Sequence, residues 1–231
     1  MRLARTVSAC LVAIGIGLAA VPDSARAQER VVLDFEGVPG KDGVPAPWQF
    51  DRWSPLLRLG DSVADARVVE RDGRRVLQLH SDDSGFIVGM RQEIDISSTP
   101  IARWRWMAEA LPVGGHFAQR ETNDQVLQLL FGFEGGMVVG YIWDTVGPRG
   151  ASGDGMTWRE DTRVIVVRDQ SDGLGRWYEE RRDLSADFEM LFGQTAPTLV
   201  GVAVQSNSQH TRSSGSGYLG PIVLEASSGD R

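Results

Sequence analysis

Residues 125–144 read QVLQLLFGFEGGMVVGYIWD and contain two apolar runs separated by a Gly-Gly pair. Successive side chains of a β-strand point to opposite faces, so Leu127, Leu129 and Phe131 share one side of the first run. The other side of that run is half polar. A Gly-Gly pair readily adopts the positive φ angles of a tight hairpin turn. The stretch therefore predicts an antiparallel hairpin whose leucine and phenylalanine side faces a core.

The same pattern of short runs bounded by turn residues recurs along the chain, with a second tight turn at Asp72-Gly73. Only residues 185–192 have helical spacing, with Ser185 as the expected N-cap. The predicted strands are 31–35, 66–70, 76–80, 86–90, 92–96, 101–107, 125–133, 137–144, 163–168, 176–184, 199–206 and 218–225. We therefore predict an all-β fold, a two-sheet antiparallel β-sandwich that is jelly-roll-like and carries one short helix.

Arginines and tryptophans alternate in the predicted strand 101–107. Trp104 and Trp106 share one face, whereas Arg103 and Arg105 share the other. Large apolar rings stabilise a sandwich interior, which favours the tryptophan face as core. We therefore expect both arginines on the outside, where guanidinium groups can bind carboxylates or acidic sugars bidentately.

The N-terminus has the pattern of a secretory signal peptide. Arg2 and Arg5 precede a short apolar run, and Ala25-Arg26-Ala27 supplies a small-x-small cleavage site. The apolar run is shorter than the roughly 20 residues that a membrane-spanning helix needs. We therefore expect residues 1–27 to be cleaved and residues 28–231 to form a single β-sandwich domain. This domain would be periplasmic or extracellular, with no membrane insertion after cleavage.

Composition and motifs exclude several classes of function. The net charge of −7 at pH 7 argues against nucleic acid and anionic membranes as partners. The only cysteine lies in the predicted signal peptide, so the mature protein has no disulfide and no cysteine nucleophile. Serine-hydrolase, zinc-protease and nucleotide-binding motifs do not occur, and His80, His116 and His210 lie in different segments. A glycosidase-like carboxylate pair stays open, because its separation depends on the fold.

Polar and aromatic residues gather where predicted strands begin or end. Asp124 precedes the hairpin, and Gln205 and Asn207 end the apolar run 199–204. Such positions commonly carry function in sandwich folds. We therefore predict a ligand site formed by Arg103, Arg105, Asp124, Tyr141, Trp143, Gln205 and Asn207. In the alternative interpretation, Asp124 and Asn207 are turn residues that bond their own backbone.

Several aromatic and acidic motifs are spread over residues 48–225. They are Trp104-Arg105-Trp106, Asn123-Asp124, Tyr141-x-Trp143, Trp177 through Glu180-x-Arg182-Asp183, Asp187-Phe188 and Tyr218-Leu219-Gly220-Pro221-Ile222. Together they resemble the secreted bacterial family catalogued as domain of unknown function 3047. The resemblance implies an exported single-domain protein without an established activity. Members of the family are richer in aspartate where Gln205, Asn207 and Pro221 stand here, so no acidic metal site carries over.

The segment Leu33-Asp34-Phe35-Glu36-Gly37, with Pro47-Trp48 after it, is similar to the start of galactose-binding-like jelly rolls of carbohydrate-binding modules. In those modules an early acidic residue and one near the last strand often hold a structural calcium ion. The resemblance implies Glu36 and Glu225 as calcium ligands if the first and last strands pair. The alternative is that both are solvated carboxylates at a sheet edge.

Three classes of function stay open at this point. A non-catalytic exported module that binds a saccharide or another cell-envelope component is favoured by seven tryptophans and by the missing catalytic motifs. An envelope polysaccharide hydrolase or lyase would use carboxylates together with His80 or an arginine. A ligand-free envelope scaffold is the third class. We predict the binding module; the sequence leaves its ligand and its oligomeric state open.

Overall fold

The computed structural model describes residues 30–52, 62–155 and 161–227, so the predicted signal peptide lies outside the described residues. Fourteen strands and one α-helix occur within these ranges. In chain order they are β1 (Arg30–Leu33), β2 (Gln49–Arg52), β3 (Val63–Arg71), β4 (Arg74–Asp82), β5 (Gly85–Ile94), β6 (Ile101–Ala110), β7 (Leu127–Phe133), β8 (Met137–Trp143), β9 (Ser152–Asp154), β10 (Asp161–Arg168), β11 (Tyr178–Asp183), α1 (Leu184–Phe192), β12 (Leu199–Asn207), β13 (Ser214–Leu219) and β14 (Ile222–Glu225).

The strands form two seven-stranded sheets. The first sheet has the order β1-β14-β6-β13-β4-β3, and β11 also pairs with β6. The second sheet has the order β2-β5-β12-β7-β8-β10-β9. This confirms the predicted all-β, two-sheet, jelly-roll-like sandwich with one helix. One pair departs from the predicted antiparallel pattern, since β10 runs parallel to β8 and β9 folds back along β10.

The hairpin predicted for residues 125–144 is confirmed. β7 and β8 pair antiparallel, with Leu129 opposite Tyr141. Gly135 and Gly136 turn the chain with φ angles of 82° and 81°, which glycine adopts without steric cost. The turn at Asp72-Gly73 between β3 and β4 is built in the same way, with φ angles of 52° and 68°.

The core lies between the sheets and is rich in aromatic rings. The leucine and phenylalanine side of β7 is fully buried, as predicted, and so is the tryptophan side of β6. Trp104 stacks on Tyr141 with ring centroids 5.1 Å apart, and Trp106 packs on Trp143 at 6.0 Å. Rings from β6 of the first sheet thus interlock with rings from β8 of the second, which stabilises their packing.

The helix α1 lies where the spacing predicted it, but its cap is different. It begins at Leu184, and the Asp183 carboxylate accepts a hydrogen bond from the Ala186 backbone N–H at 3.0 Å. The prediction of Ser185 as N-cap was therefore wrong, because Ser185 already lies inside the first turn. The helix ends at Phe192 and is followed by Gly193, whose left-handed φ of 69° caps it.

Strand boundaries differ from the predictions where the local signal is ambiguous. β5 is one continuous strand where two runs were predicted, and the predicted strand 218–225 is two strands, β13 and β14, separated by Gly220-Pro221. Proline has no backbone N–H for a ladder. β2 and β9 were not predicted, because their sequences QFDR and SGD are short and lack apolar alternation.

Candidate functional site

The seven residues predicted as one ligand site lie in three different places. Arg103 and Arg105 are on the outer face of the first sheet, opposite the buried Trp104 side of β6. Tyr141 and Trp143 lie between the sheets. The other three, Asp124, Gln205 and Asn207, lie on or beside the second sheet. The predicted residues therefore do not assemble into a single surface.

The two arginines contact neighbours on the first sheet, although Nε and Nη2 of Arg105 are buried without a hydrogen-bond partner in the described residues. Arg103 donates from Nη1 to Glu225 Oε1 at 3.2 Å. The Arg105 guanidinium lies over the Trp177 ring, 4.3 Å from its centroid. Burial, followed by the positive charge of Arg74, lowers the pKa of Arg105. These contacts stabilise the outer face of the first sheet.

Tyr141 and Trp143 are core residues, which corrects their prediction as ligand contacts. Both are fully buried, because their side of β8 continues the inward face of the hairpin. The Tyr141 hydroxyl donates to Asp187 Oδ2 at 2.7 Å, and Trp143 Nε1 donates to the Asp169 carbonyl at 3.2 Å. Burial, together with the negative charge of Asp187, raises the pKa of Tyr141 well above its usual 10.

The tryptophan count, which favoured a binding module in the sequence analysis, is largely explained by the core. Five of the seven tryptophans lie in the described residues. Trp177 is the one of these five that is half-exposed, and Arg105 covers one of its faces. The four buried ones are Trp48, Trp104, Trp106 and Trp143.

Asp124 and Asn207 are the buried centre of a hydrogen-bond network that we call the clasp, which reaches the surface at His210. Its members are Asp124, Gln128, Asn207, His210 and Thr211. Asn207 donates from Nδ2 to Asp124 Oδ1 at 2.9 Å and accepts from Gln128 Nε2 at 2.6 Å. Asp124 Oδ2 accepts from the backbone N–H and the hydroxyl of Thr211, and Oδ1 lies 3.0 Å from His210 Nδ1. Neither Asp124 nor Asn207 is more than 2% exposed. The clasp therefore joins loops, and its acid and amide are not available to a ligand.

The predicted calcium ligands lie apart. β1 and β14 do pair, but antiparallel, with Arg30 opposite Glu225 and Leu33 opposite Ile222. Glu36 follows Leu33 and is therefore at the other end of this strand pair from Glu225, so the prediction of a shared ion was wrong. Glu36 contacts Arg75 at 3.5 Å instead. Among residues 30–52, 62–155 and 161–227, no group of three or more His, Cys, Asp or Glu is arranged to hold a metal ion.

Asp144 is buried just beyond β8, where its carboxylate organises a loop. Its Oδ2 accepts from the Phe117 N–H at 2.8 Å and from Gln125 Nε2 at 3.1 Å. Burial raises the pKa of Asp144, although these hydrogen bonds oppose the shift.

Other buried carboxylates are bonded in the same manner. Glu180 accepts from Trp106 Nε1 at 2.9 Å and from Arg168 Nε at 2.7 Å. The buried carboxylates that accept hydrogen bonds from the protein are Asp124, Asp144, Asp172, Glu180 and Asp187. Their burial is thus explained by structural bonding.

An irregular stretch of the second sheet opens its outer face. Leu199 of β12 pairs with Ile94 of β5 and Phe133 of β7, and Gly201 of β12 pairs with Arg91 of β5 and Gly132 of β7. Between these two paired positions, β5 has two extra residues, Gln92 and Glu93. β12 has one, Val200, and β7 has none. Such β-bulges bend a strand and redirect its side chains, and they are common beside functional sites. As a result, Arg91, Gln92 and Glu93 are all exposed, although strict alternation would turn the middle one inward.

Two depressions meet at Arg91 in this stretch, and together we call them the trough. The smaller one, of about 340 Å³, lies where the short β2 ends beside the longer β5. Its lining residues are Pro47, Gln49, Gly89, Met90 and Arg91. The larger one, of about 1040 Å³, extends to the β7–β8 turn. Its lining residues are Arg91, Gln92, Glu93, Gly132, Phe133, Glu134, Gly135, Gly136, Met137, Val138 and Val200. Both depressions are open to solvent.

Small residues line the middle of the trough. Arg91 is opposite Gly201 on β12, and Gly201 is opposite Gly132 on β7. A Cβ atom added at Gly132 would approach only the Gly201 carbonyl oxygen, at 3.7 Å, so the space above it is open. Glycines inside apolar strands signal a bulge or a close approach of another molecule. That signal was present in the sequence and was not used in the prediction.

Several polar groups around the trough are unpaired. Within the described part of the chain, Arg91 forms no ion pair and no side-chain hydrogen bond, and the same holds for Gln49, Glu93 and Glu134. Gln205 lies on the same outer face of β12 as Gly201, is 6% exposed, and makes no side-chain hydrogen bond to a described residue. It lines neither depression, and its side chain is almost fully buried.

The described residues contain no helix that is both long enough and apolar enough to span a membrane.

Solved structures with a similar arrangement are distant in sequence. The family 11 carbohydrate-binding module of the cellulase Lic26A-Cel5E of Clostridium thermocellum is 10% identical, with a TM-score of 0.45, and the match covers 87% of this chain and 96% of that module. The xyloglucanase domain of NopAA from Sinorhizobium fredii, solved with cellobiose, is 13% identical, with a TM-score of 0.44 and coverages of 77% and 92%. A variant of the Cel12A cellulase of Rhodothermus marinus is 12% identical, with a TM-score of 0.39 and coverages of 85% and 100%. No ligand or reaction carries over to this chain at such distances.

Sequence comparison identifies the family. No curated protein sequence matches the chain. The family model described as "Protein of unknown function (DUF3047)" matches residues 52–223, about three quarters of the chain. This confirms the resemblance carried by the tryptophan and acidic motifs. The chain belongs to the DUF3047 family.

Proposed function

We propose that this protein is an exported, non-catalytic saccharide-binding module whose ligand lies in the trough. The observation that carries the proposal is the bulged stretch of β5 and β12, which surrounds a glycine-lined opening with unpaired polar side chains. A sugar chain presents hydroxyl groups and apolar C–H faces. The trough offers a matching surface of amide, guanidinium and carboxylate groups beside Met90, Met137 and Val138.

The state of the carboxylates supports binding without catalysis. General acids in glycosidases usually depend on burial to hold their proton near neutral pH. The two acids that line the trough, Glu93 and Glu134, are both exposed. The buried acids described above are held by hydrogen bonds within the protein. The trough thus has groups suited to recognise hydroxyls, and its acids lack the environment of an acid/base pair.

Export fits this function. The predicted signal peptide at residues 1–27 would deliver the domain to the periplasm or the outside of the cell, where envelope and extracellular polysaccharides are found. The proposed partner is accordingly a saccharide or another envelope component.

The test is binding of soluble polysaccharides by affinity electrophoresis, with Gly132→Gln as the blocking variant. A glutamine at position 132 points into the larger depression without a backbone clash, because the nearest atom to its Cβ would be 3.7 Å away. We expect retardation of the wild-type protein by at least one polysaccharide and loss of that retardation in Gly132→Gln. Val32→Gln is the matched control, since Val32 is 46% exposed on β1 of the first sheet.

Two results would contradict the proposal. Retardation that is equal in wild type and Gly132→Gln, with both proteins folded by circular dichroism, would place the ligand elsewhere. Release of reducing ends from the bound polysaccharide would refute the non-catalytic part and favour a hydrolase.

A further inference from the structure

Arg91 differs from three other outward-facing arginines of the two sheets, Arg71, Arg103 and Arg163, in what surrounds it. Arg103, Arg71 and Arg163 each have a carboxylate within 3.3 Å. The partner opposite Arg91 on β12 is Gly201, and β2 ends at the level of Gly89, so neither neighbouring strand supplies an acid at the position of Arg91. At the bulge, the guanidinium N–H groups of Arg91 therefore have no hydrogen-bond or ion-pair partner among the described residues.

The charges of the two depressions are different. Arg91 is the one charged residue among the described residues lining the smaller depression, where it lies beside the Gln49 amide and the apolar Pro47 and Met90. The larger depression contains Glu93 and Glu134 in addition. A guanidinium group binds a carboxylate with two parallel hydrogen bonds, whereas glutamate oxygens accept hydrogen bonds from hydroxyl groups.

From this asymmetry, and resting on the proposed function, we infer that the ligand is an acidic polysaccharide that contains uronic acid units. One sugar carboxylate binds Arg91 in the smaller depression. The adjoining sugar rings lie in the larger depression, where their hydroxyl groups donate to Glu93 and Glu134. The net charge of −7 does not prevent this, because about 0.1 M salt screens distant charges beyond roughly 10 Å. The contact at Arg91 is much closer than that.

The experiment compares each acidic polymer with its own uncharged form. Polygalacturonate and alginate are tested by affinity electrophoresis and isothermal titration calorimetry in 0.1 M NaCl, each beside its methyl-esterified derivative. Esterification removes the charge and leaves the sugar rings in place. We expect wild-type protein to bind at least one acid form about tenfold more tightly than its ester, as befits a charge-assisted contact.

Arg91→Gln should remove this preference by weakening binding of the acid form about tenfold while changing binding of the ester less than about twofold. Arg181→Gln makes the same change on the first sheet, where Arg181 is exposed and unpaired, and should leave the preference intact.

The outcomes separate this inference from the proposed function. Equal binding of acid and ester forms, blocked by Gly132→Gln, would overturn the acidic ligand and leave saccharide binding standing. A preference for the acid form that survives Arg91→Gln would also overturn it. If neither the acidic polymers nor neutral glycans bind, both proposals fail.

Discussion

Replacing Asn207 by Asp tests whether the clasp is a structural network. The substitution keeps the shape of the side chain and the oxygen that accepts from Gln128. It replaces the Nδ2 donor, 2.9 Å from Asp124 Oδ1, by a second carboxylate oxygen. Two unit charges at that separation repel by about 6 kcal/mol at an effective dielectric constant of about 20. Part of this is relieved by rearrangement and by proton uptake.

We expect Asn207→Asp to lower the free energy of unfolding by about 3–5 kcal/mol at pH 7, the usual range when a buried polar pair is broken. For a domain of this size the midpoint of thermal unfolding would fall by about 10 °C. The deficit should shrink as the pH falls from 7 to 5, because protonation of the carboxylate introduced at position 207 removes the repulsion and restores a donor.

The assay is urea unfolding followed by tryptophan fluorescence at several pH values, with the variant compared with wild type at each pH. Gln170→Glu serves as the control, since it makes the same chemical change at an exposed residue, and we expect it to change stability by less than about 0.5 kcal/mol. A deficit for Asn207→Asp below about 1 kcal/mol, or one that is independent of pH, would refute the network described here.

Four further predictions concern the core, the helix and processing. Tyr141→Phe loses the 2.7 Å bond to Asp187 and should cost about 1–2 kcal/mol at pH 7. Because the pKa of Tyr141 is raised in the folded state, wild-type stability should fall above about pH 10, and urea titrations should show the deficit of the variant narrowing there. Phe131→Ala should cost about 3–5 kcal/mol in chemical denaturation, and a loss below about 1 kcal/mol would contradict its full burial. Asp183→Ala should cost about 1 kcal/mol, whereas Ser185→Ala should change little; the opposite order would mean that Ser185 caps the helix. Mass spectrometry of the exported protein should find Gln28 at its N-terminus, and a lipid-bearing Cys10 would disprove that cleavage.

The fold was predictable where the alternation of apolar and polar residues and the residue types of the turns indicate the same structure. The hairpin around Gly135-Gly136 has both an apolar face of period two and a turn pair that favours positive φ, so its two strands and its buried face follow from the sequence. Short edge strands such as β2 lack this agreement, because four residues paired on one side need no apolar period. Their existence depends on pairing partners far away in the chain.

The site was less predictable, for a reason that is visible in Asn207 and Arg91. A polar residue at the end of an apolar strand can bind a ligand or form hydrogen bonds within the protein. Which of the two it does depends on the loops around it. Asn207 lies beside Asp124, which is more than eighty residues away in sequence. Arg91 lies where the two depressions meet because three neighbouring strands have different numbers of residues there, and no single segment contains that information.

The clasp and the trough lie at opposite ends of β12, and this placement links them. Asn207 is the last residue of β12, and Val200, the bulge residue, is its second. A strand that carries a bulge can recover regular pairing by slipping one position, which would turn its buried residues outward. The buried Asn207 opposes such a slip, because a slip would break its hydrogen bonds to Asp124 and Gln128. We therefore expect Asn207 to hold the bulge at Val200 and Arg91 at the meeting point of the two depressions. Asn207→Asp should therefore weaken saccharide binding about 20 Å away, at about 3.3 Å per strand residue, and a variant that unfolds more readily yet binds as wild type would show that the trough keeps its shape without the clasp.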